Sequence, residues 1–386
     1  MDLKGRVHAH RDQIIRIRRD LHRIPETAYE EKKTSAYVAR CLGETGLSVQ
    51  TGMARHGVVG LLETGIPGPG LLIRAEMDAL PVREETGLPF ASAHEGAMHA
   101  CGHDGHMAMV LGAAMVLSRI RERLKGSVKF VFQPAEEGPG GAQPMIEAGV
   151  MEDPEVDYAL GCHLWPGIPA GAIGVRPGPF MAAMNRFDLT ITGKGGHAAM
   201  PHECVDALDT GVQVVGALQR MVSRQLDPLC PGVVTVGEFH AGTAFNVISS
   251  TAEMSGTCRT FDRRLWESWP SRMESIVQGV CRAMGAGYEL RFRFSYPPLV
   301  NDPSVARMVR QCAEGVVGPD QVMEPEPTMG GEDMAFFLER AKGCFFFLGA
   351  GHENRAPLHS PRFDFSEDVL PIGTETFCRV ALHLLG

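Results

Sequence analysis

The sequence predicts an α/β protein: a layered mixed sheet with helices on both faces, interrupted by a smaller inserted α+β domain. Three observations predict this. From residue 1 to about 180, apolar strand runs alternate with helical patterns. From about 183 to 295 the strands instead alternate apolar and polar positions, as half-buried antiparallel strands do. After Pro297 and Pro298 the buried α/β pattern returns. With 44% hydrophobic and 22% charged residues over 386 positions, the chain can bury one large core or two medium ones and is not a disordered polymer.

In order, the pattern predicts a helix over 7–22, strands over 58–63 and 71–74, a helix over about 106–120, a strand over 129–133 and a buried run over 158–162. The middle region reads as strand 186–192, helix 207–222, strands 233–239 and 251–257, helix 265–284 and strand 288–294. The last region reads as helix 305–315, apolar strand 344–348 and a closing helix ending at Leu385. The pattern therefore divides the chain into 1–182 and 296–386, which form one domain if their candidate donors meet, with 183–295 inserted as a smaller domain.

The stretch Met98 to Ala108 (MHACGHDGHMA) sets Cys101 and His103 one residue apart in a glycine-bearing turn. A thiolate with an imidazole suits a borderline divalent ion such as zinc; a buried free thiol beside surface imidazoles is the competing reading. Further donors arrive from separate places. The strand KFVFQ runs through Pro134 and Ala135 into Glu136 and Glu137, the run 158–162 leads to His163, and His359 follows Ala356, Pro357 and Leu358. Open α/β sheets bind ligands at the carboxyl ends of their strands, and several independent arrivals fit that geometry.

Charge narrows the partner. Lys and Arg number 37 against 46 Asp and Glu, a net charge of −9, without blocks, so no basic face for nucleic acid or an anionic membrane is expected. No apolar run approaches the roughly 18 residues of a membrane span, and the charged start MDLKGRVHAHRDQ lacks the apolar core of a secretory leader. Ten scattered cysteines without a CxxC pair predict reduced thiols and a cytoplasmic location. A small-molecule partner is expected.

Taken together, the motifs RRDLHRIPETAYEE, IRAEMDALPV (73–82), MHACGHDGHMA, FQPAEEGPGGA (132–142), GCHLWPGIPAG (161–171), GKGGHAAMPH (193–202), FNVI (245–248), GTCRTFD (256–262), MGGEDM (329–334) and APLHSPRFDF (356–365) resemble the bacterial aminoacylase and hippurate hydrolase family. These are dinuclear metallo-amidohydrolases, related to auxin-conjugate hydrolases and glutamate carboxypeptidases. The resemblance spans nearly the whole chain and implies that 1–182 with 296–386 is the catalytic domain and 183–295 a lid or dimerisation domain. It implies two divalent metal ions held by Cys101, His103, Glu137, His163 and His359, with Cys101 bridging, and Glu136 as general acid and base. It further implies that His197 completes the site of a neighbouring subunit in a homodimer or higher homo-oligomer. Asn246 and Arg259 match substrate-contacting positions, and Gly330 and Gly331 offer backbone N–H groups to a substrate carboxylate. Zinc or manganese heads the metal choice, with cobalt and nickel open.

Two departures stand out. Glu76 replaces the aspartate common before Met-Asp-Ala-Leu-Pro, and Ser249 stands where proline is frequent. Asp78 is retained and is expected to orient a ligand imidazole. His22, His99, His106, His202 and His240 are read as supporting or structural.

The implied reaction is hydrolysis of an N-acyl amino acid to a carboxylate and a free amino acid. Dipeptidase or carboxypeptidase activity is the alternative within the superfamily. A non-catalytic binding subunit would have lost the acid/base or ligands, yet all six positions are filled. A structural zinc site favours closed Cys and His ligands, which leaves the pair Glu136 and Glu137 unexplained.

Overall fold

The computed structural model describes residues 2–351 and 356–386. The chain forms two compact units: Met1–Phe180 with Val300–Glu326 and Asp333–Gly386, and Met181–Leu299 with Pro327–Glu332. Residues 327–332 group with the second unit, whereas the sequence pattern assigned them to the last catalytic segment.

The first unit begins with α1 (Leu3–His8), α2 (Arg11–His22), α3 (Lys32–Gly43), β1 (Ser48–Met53), β2 (Gly57–Glu63), β3 (Gly70–Glu76), α4 (His103–Ser118), β4 (Ser127–Gln133), α5 (Ala142–Glu147), β5 (Tyr158–Pro169), β6 (Ile173–Gly174) and β7 (Gly178–Met181). The predicted opening helix is in fact two: the Ala9 N–H closes back on Gly5 and that of His10 on Val7, so the chain turns before α2 starts. The sequence pattern passed over α3 and β1.

The second unit holds β8 (Ala183–Thr192), β9 (Gly196–His197), α6 (Ala207–Gln225), β10 (Gly232–Ala241), β11 (Val247–Ile248), β12 (Thr251–Thr260), α7 (Arg263–Met284) and β13 (Gly287–Tyr296). Its sheet runs β10-β12-β8-β13, antiparallel throughout. One face alternates inward as Phe187, Leu189 and Ile191 on β8, and α6 and α7 cover it with Val214, Leu218, Trp269 and Met273. Side-chain carboxylates cap both helices, Asp206 at α6 and Asp262 at α7, as N-cap preference requires.

The chain then returns through β14 (Leu299–Asn301), α8 (Pro303–Val317), β15 (Val322–Met323), α9 (Ala335–Leu338), β16 (Lys342–Gly351) and α10 (Leu370–Leu385). The large sheet has the order β1-β2-β4-β3-β5-β16-β6-β15. Its centre is parallel, β4-β3-β5-β16, and β1, β2 and the β16-β6 pair are antiparallel. The mixed α/β fold predicted from the alternating pattern is the fold observed.

Helix α4 is the pivot of this unit. Every residue from His103 to Leu117 is buried, because α2, α3 and α10 pack around it and β3 lies beneath. Its polar N-terminal turn is tied to α2: Arg18 Nε donates to Asp104 at 2.9 Å, and His22 Nδ1 donates to the same carboxylate at 2.8 Å. Among the described residues no helix is long and apolar enough to cross a membrane.

Candidate active site

The donors converge where the central strands end. Gly102 precedes α4 with φ 85°, a left-handed conformation that glycine adopts without cost. It turns the chain so that Cys101, just before the helix, and His103, its first residue, share one side. Both are buried. Donor atoms of Cys101, His103 and His163 lie within 4.8 Å of one another, as do those of Cys101, Glu137 and His359, and those of His103, Glu136 and Glu137. Cys101 thus belongs to two adjacent triads, and its Sγ lies 3.3 Å from His163 Nε2.

His163 does not follow a strand, as the sequence pattern suggested. It lies inside β5, which continues to Pro169 because β16 pairs alongside through Gly351. His359 adopts φ 66°, and its N–H donates to the Ala100 carbonyl at 2.9 Å. That bond ties it to the turn carrying Cys101, with Nε2 3.1 Å from Glu137 Oε1.

Backbone carbonyls fix the tautomers. His103 Nδ1 donates to the Asp78 carbonyl at 2.8 Å and His163 Nδ1 to the Leu164 carbonyl at 2.7 Å. In both rings Nε2 is therefore the nitrogen left free of the backbone, and His103 Nε2 is buried without any hydrogen-bond partner. His106 differs: Nδ1 donates to Glu76 at 2.8 Å and Nε2 accepts the Leu164 N–H at 2.9 Å. Both its nitrogens are engaged, so it buttresses β5 instead of offering a donor.

Asp78 does more than the sequence suggested. Its carbonyl orients His103, while its carboxylate accepts the N–H of Glu136 at 3.0 Å and of Glu137 at 2.9 Å. Glu76 forms a buried ion pair with Arg74, which also donates to Gln133 at 2.9 Å and Asp333 at 2.6 Å. Asp333 in turn accepts the N–H groups of Gly141 and Ala142, each at 3.0 Å, beyond the acidic pair. Sequence reasoning missed Arg74 and Asp333 in this role; the available signal was a charged pair, Arg74 and Glu76, inside an otherwise apolar strand.

The electrostatics favour a cation. Burial opposes a charge on His103, but hydrogen bonding to Asp78 and the charges on Glu76, Asp78 and Glu137 outweigh it and raise its pKa to about 10. Burial, followed by Glu137 and Glu136, pushes the Cys101 thiol well up. Burial also pulls His163 down to about 3, helped by His106.

The other predicted residues lie on the second unit. His197 is exposed on β9, which pairs with β11. Its Nδ1 accepts the Ala199 N–H at 3.1 Å, which leaves Nε2 to carry the proton of the neutral ring. Asn246, also exposed, stands on the same ribbon, its carbonyl accepting the Ala198 N–H at 3.1 Å. Arg259 on β12 is half-buried, donates to the Met329 carbonyl at 2.8 Å, and has its pKa lowered by burial. The Gly330 N–H donates to Thr328 Oγ1 at 3.2 Å. Gly331 sits close under Met184 and Tyr296, where an added Cβ would come within 3.4 Å of each. Ser249 locks its loop by donating to the Thr251 carbonyl at 2.7 Å and accepting the Gly242 N–H at 3.2 Å.

Residues 72–383 match the model of peptidase family M20/M25/M40. An N-acyl-L-amino acid amidohydrolase of Geobacillus stearothermophilus is 46% identical over 78% of this chain and 81% of its own. Thermostable carboxypeptidase 1 of Saccharolobus solfataricus is 41% identical over 96% and 95%. Among solved structures, the YXEP protein of Bacillus subtilis, described as a dinuclear metal binding peptidase from the M20 family, superposes with TM-score 0.84 at 34% identity, covering 98% of this chain and 99% of that one. A two-unit α/β chain with convergent carboxylate, thiol and imidazole donors is thus a hydrolase of amide bonds. The chain belongs to peptidase family M20/M25/M40.

Proposed function

We propose that this chain hydrolyses the amide bond of N-acyl amino acids, releasing a carboxylate and a free amino acid, with two divalent ions held by Cys101, His103, Glu137, His163 and His359. One observation carries the reading: two donor triads share Cys101, with Glu136 beside them. The donors fit such ions. His103 Nε2 is buried without a hydrogen-bond partner, and the surrounding carboxylates hold a proton on that ring to about 10, so the pocket is short of positive charge and a metal ion can take that proton's place. Thiolate, imidazole and carboxylate together accept zinc or manganese, and also cobalt or nickel. Ions bound there would supply Lewis-acid polarisation of the scissile carbonyl and a water of lowered pKa.

The chain's own groups do the rest. Glu136, buried and held by its backbone on Asp78, takes the proton of the attacking water and delivers it to the departing amine. His197 presents an Nε2–H suited to an oxyanion, and Arg259, without an acidic partner among the described residues, suits the substrate carboxylate. Asn246 and Gly331 are proposed as further substrate contacts. The working form is proposed to be a cytoplasmic homodimer or higher homo-oligomer, in keeping with ten free cysteines.

Carboxypeptidase action is the second reading, favoured by the 41% identity to a protein of that name. A panel of N-acetyl and N-benzoyl amino acids against dipeptides, assayed with zinc or manganese, tests both. The expected order is higher kcat/KM for the acyl amino acids; the reverse order assigns a peptidase.

His197→Ala is expected to lower kcat by about a hundredfold, as loss of an oxyanion donor does, without changing metal content. Mixing His197→Ala with Glu136→Gln subunits recovers activity if the histidine serves a neighbouring subunit. No recovery, once subunit exchange is demonstrated, confines it to its own chain.

A further inference from the structure

Three consecutive backbone N–H groups lead into the acidic pair, and buried carboxylates hold all three. Asp78 takes those of Glu136 and Glu137. The third, on Ala135, donates to Glu31 Oε1 at 2.8 Å, across 104 residues of sequence. Glu31 has 0% exposure, and no step of the hydrolysis uses it. It occupies the N-cap position of α3, yet its side chain makes no capping bond there. The carboxylate instead reaches the catalytic turn at Ala135, while the backbone N–H groups of Glu31 itself and Tyr29 also act on it. Burying a carboxylate is costly unless its hydrogen bonds compensate, so a structural filler at this position would be apolar.

The backbone gives the second, independent observation. Ala135 adopts φ 58°, in the left-handed region that a residue with a Cβ rarely enters. Such a conformation persists only where its surroundings over-determine it, and it clusters at functional sites. The residue immediately after is Glu136, so a relaxation of Ala135 toward right-handed or extended backbone would swing both carboxylates away from their present aim.

We infer that Glu31 is a positioning residue: its Oε1 holds Ala135 in the left-handed turn and so aims Glu136 at the reacting water and Glu137 at the metal. This rests on the roles proposed above for those two glutamates. Asp78, and the Gly140 N–H that donates to the Ala135 carbonyl at 3.0 Å, grip the chain only after the Ala135 Cα, so the N–H side of the strained residue is held by Glu31.

Glu31→Met preserves length and burial but removes the acceptor. It is expected to lower kcat and the affinity for manganese about tenfold or more, the range seen when outer partners of metal ligands are lost, with KM little changed. Glu31→Gln, which keeps an acceptor oxygen at the same reach, is expected to restore most of both. Ala135→Gly placed in the Glu31→Met background is expected to recover activity in part, since glycine enters the left-handed turn without the Cβ penalty that Ala135 carries there. Hydrogen exchange on the purified proteins should show faster exchange over residues 135–137 in Glu31→Met than in the parent or in Glu31→Gln. Parent-like kcat and exchange in Glu31→Met overturn the inference, as does an equal loss in Glu31→Gln or a glycine that recovers nothing. Should Glu31→Met not fold, Ala135→Val, which disfavours the turn with Glu31 intact, must reproduce the loss; unchanged values overturn it. If the parent hydrolyses none of the amides, the functional reading fails while the exchange result still decides whether Glu31 holds the turn.

Discussion

Replacing Glu136 by Gln lowers kcat by about a hundredfold or more, the lower bound expected for loss of a general base, while metal content and melting temperature stay at the parent's values. The backbone of residue 136 donates to Asp78 at 3.0 Å, and an amide side chain leaves that bond untouched. Gln is also nearly the same size as Glu, so the buried pocket beside His103 and Glu137 keeps its packing. What disappears is the capacity to accept a proton from water and return it to the amine, and one side chain serves both transfers. Steady-state kinetics with elemental analysis of the same preparation reads the two quantities together. Near-parental turnover in a fully metallated variant would remove Glu136 from catalysis; a loss of metal would mean that it is a ligand instead.

Legibility in the sequence divides along a physical line. The elements that carry a periodic apolar signal were readable: α6, α7 and β8 show a one-faced pattern because each has one covered and one wetted side. The strands of the large sheet were readable as apolar runs because β4 and β3 are buried along their whole length. Positions near the catalytic turn were readable from chemistry, since a thiol and an imidazole two positions apart are rare and a paired acid after a strand is conspicuous.

What escaped depends on partners distant in sequence. The Glu31 to Ala135 bond and the Arg74 to Asp333 pair span 104 and 259 residues, and no local pattern encodes such a partner. The end of β5 was misjudged for a related reason: its extension past His163 is imposed by β16, nearly 200 positions later. The bond from the Gly330 N–H to the hydroxyl of Thr328 two residues earlier is a turn-level detail that composition does not reveal. Conversely, Glu76 looked like a mere substitution near the metal, and its longer arm proves to connect Arg74 with His106. Through His106 that arm steadies the Leu164 N–H, and with it the middle of β5 where His163 resides.

Cys101→Ala is expected to bind little or no metal, where the parent retains close to two ions per chain, because its Sγ is the donor common to both triads. The other four donors would then leave His103 with His163 on one side and Glu137 with His359 on the other, linked only where His103 approaches Glu137, two ligands per ion where a catalytic zinc has three. Cys378→Ala is the matched control: that thiol is also buried, but it lies on α10 against the Ala113 carbonyl, so a full metal complement is expected there. The thiol also makes uptake pH-dependent. Without a cation, burial and the charges of Glu137 and Glu136 keep Cys101 protonated, and the carboxylates keep His103 protonated up to about 10. Both protons must leave before the donors can bind, so the apparent affinity rises with pH through the neutral range, by about tenfold per pH unit for each proton released. Calorimetry in buffers of different ionisation enthalpy counts those protons, and Cys101→Ala should release fewer with whatever metal it still takes. A Cys101→Ala protein that keeps two ions and the parent's proton count would show that the cysteine is a buried thiol and not a ligand.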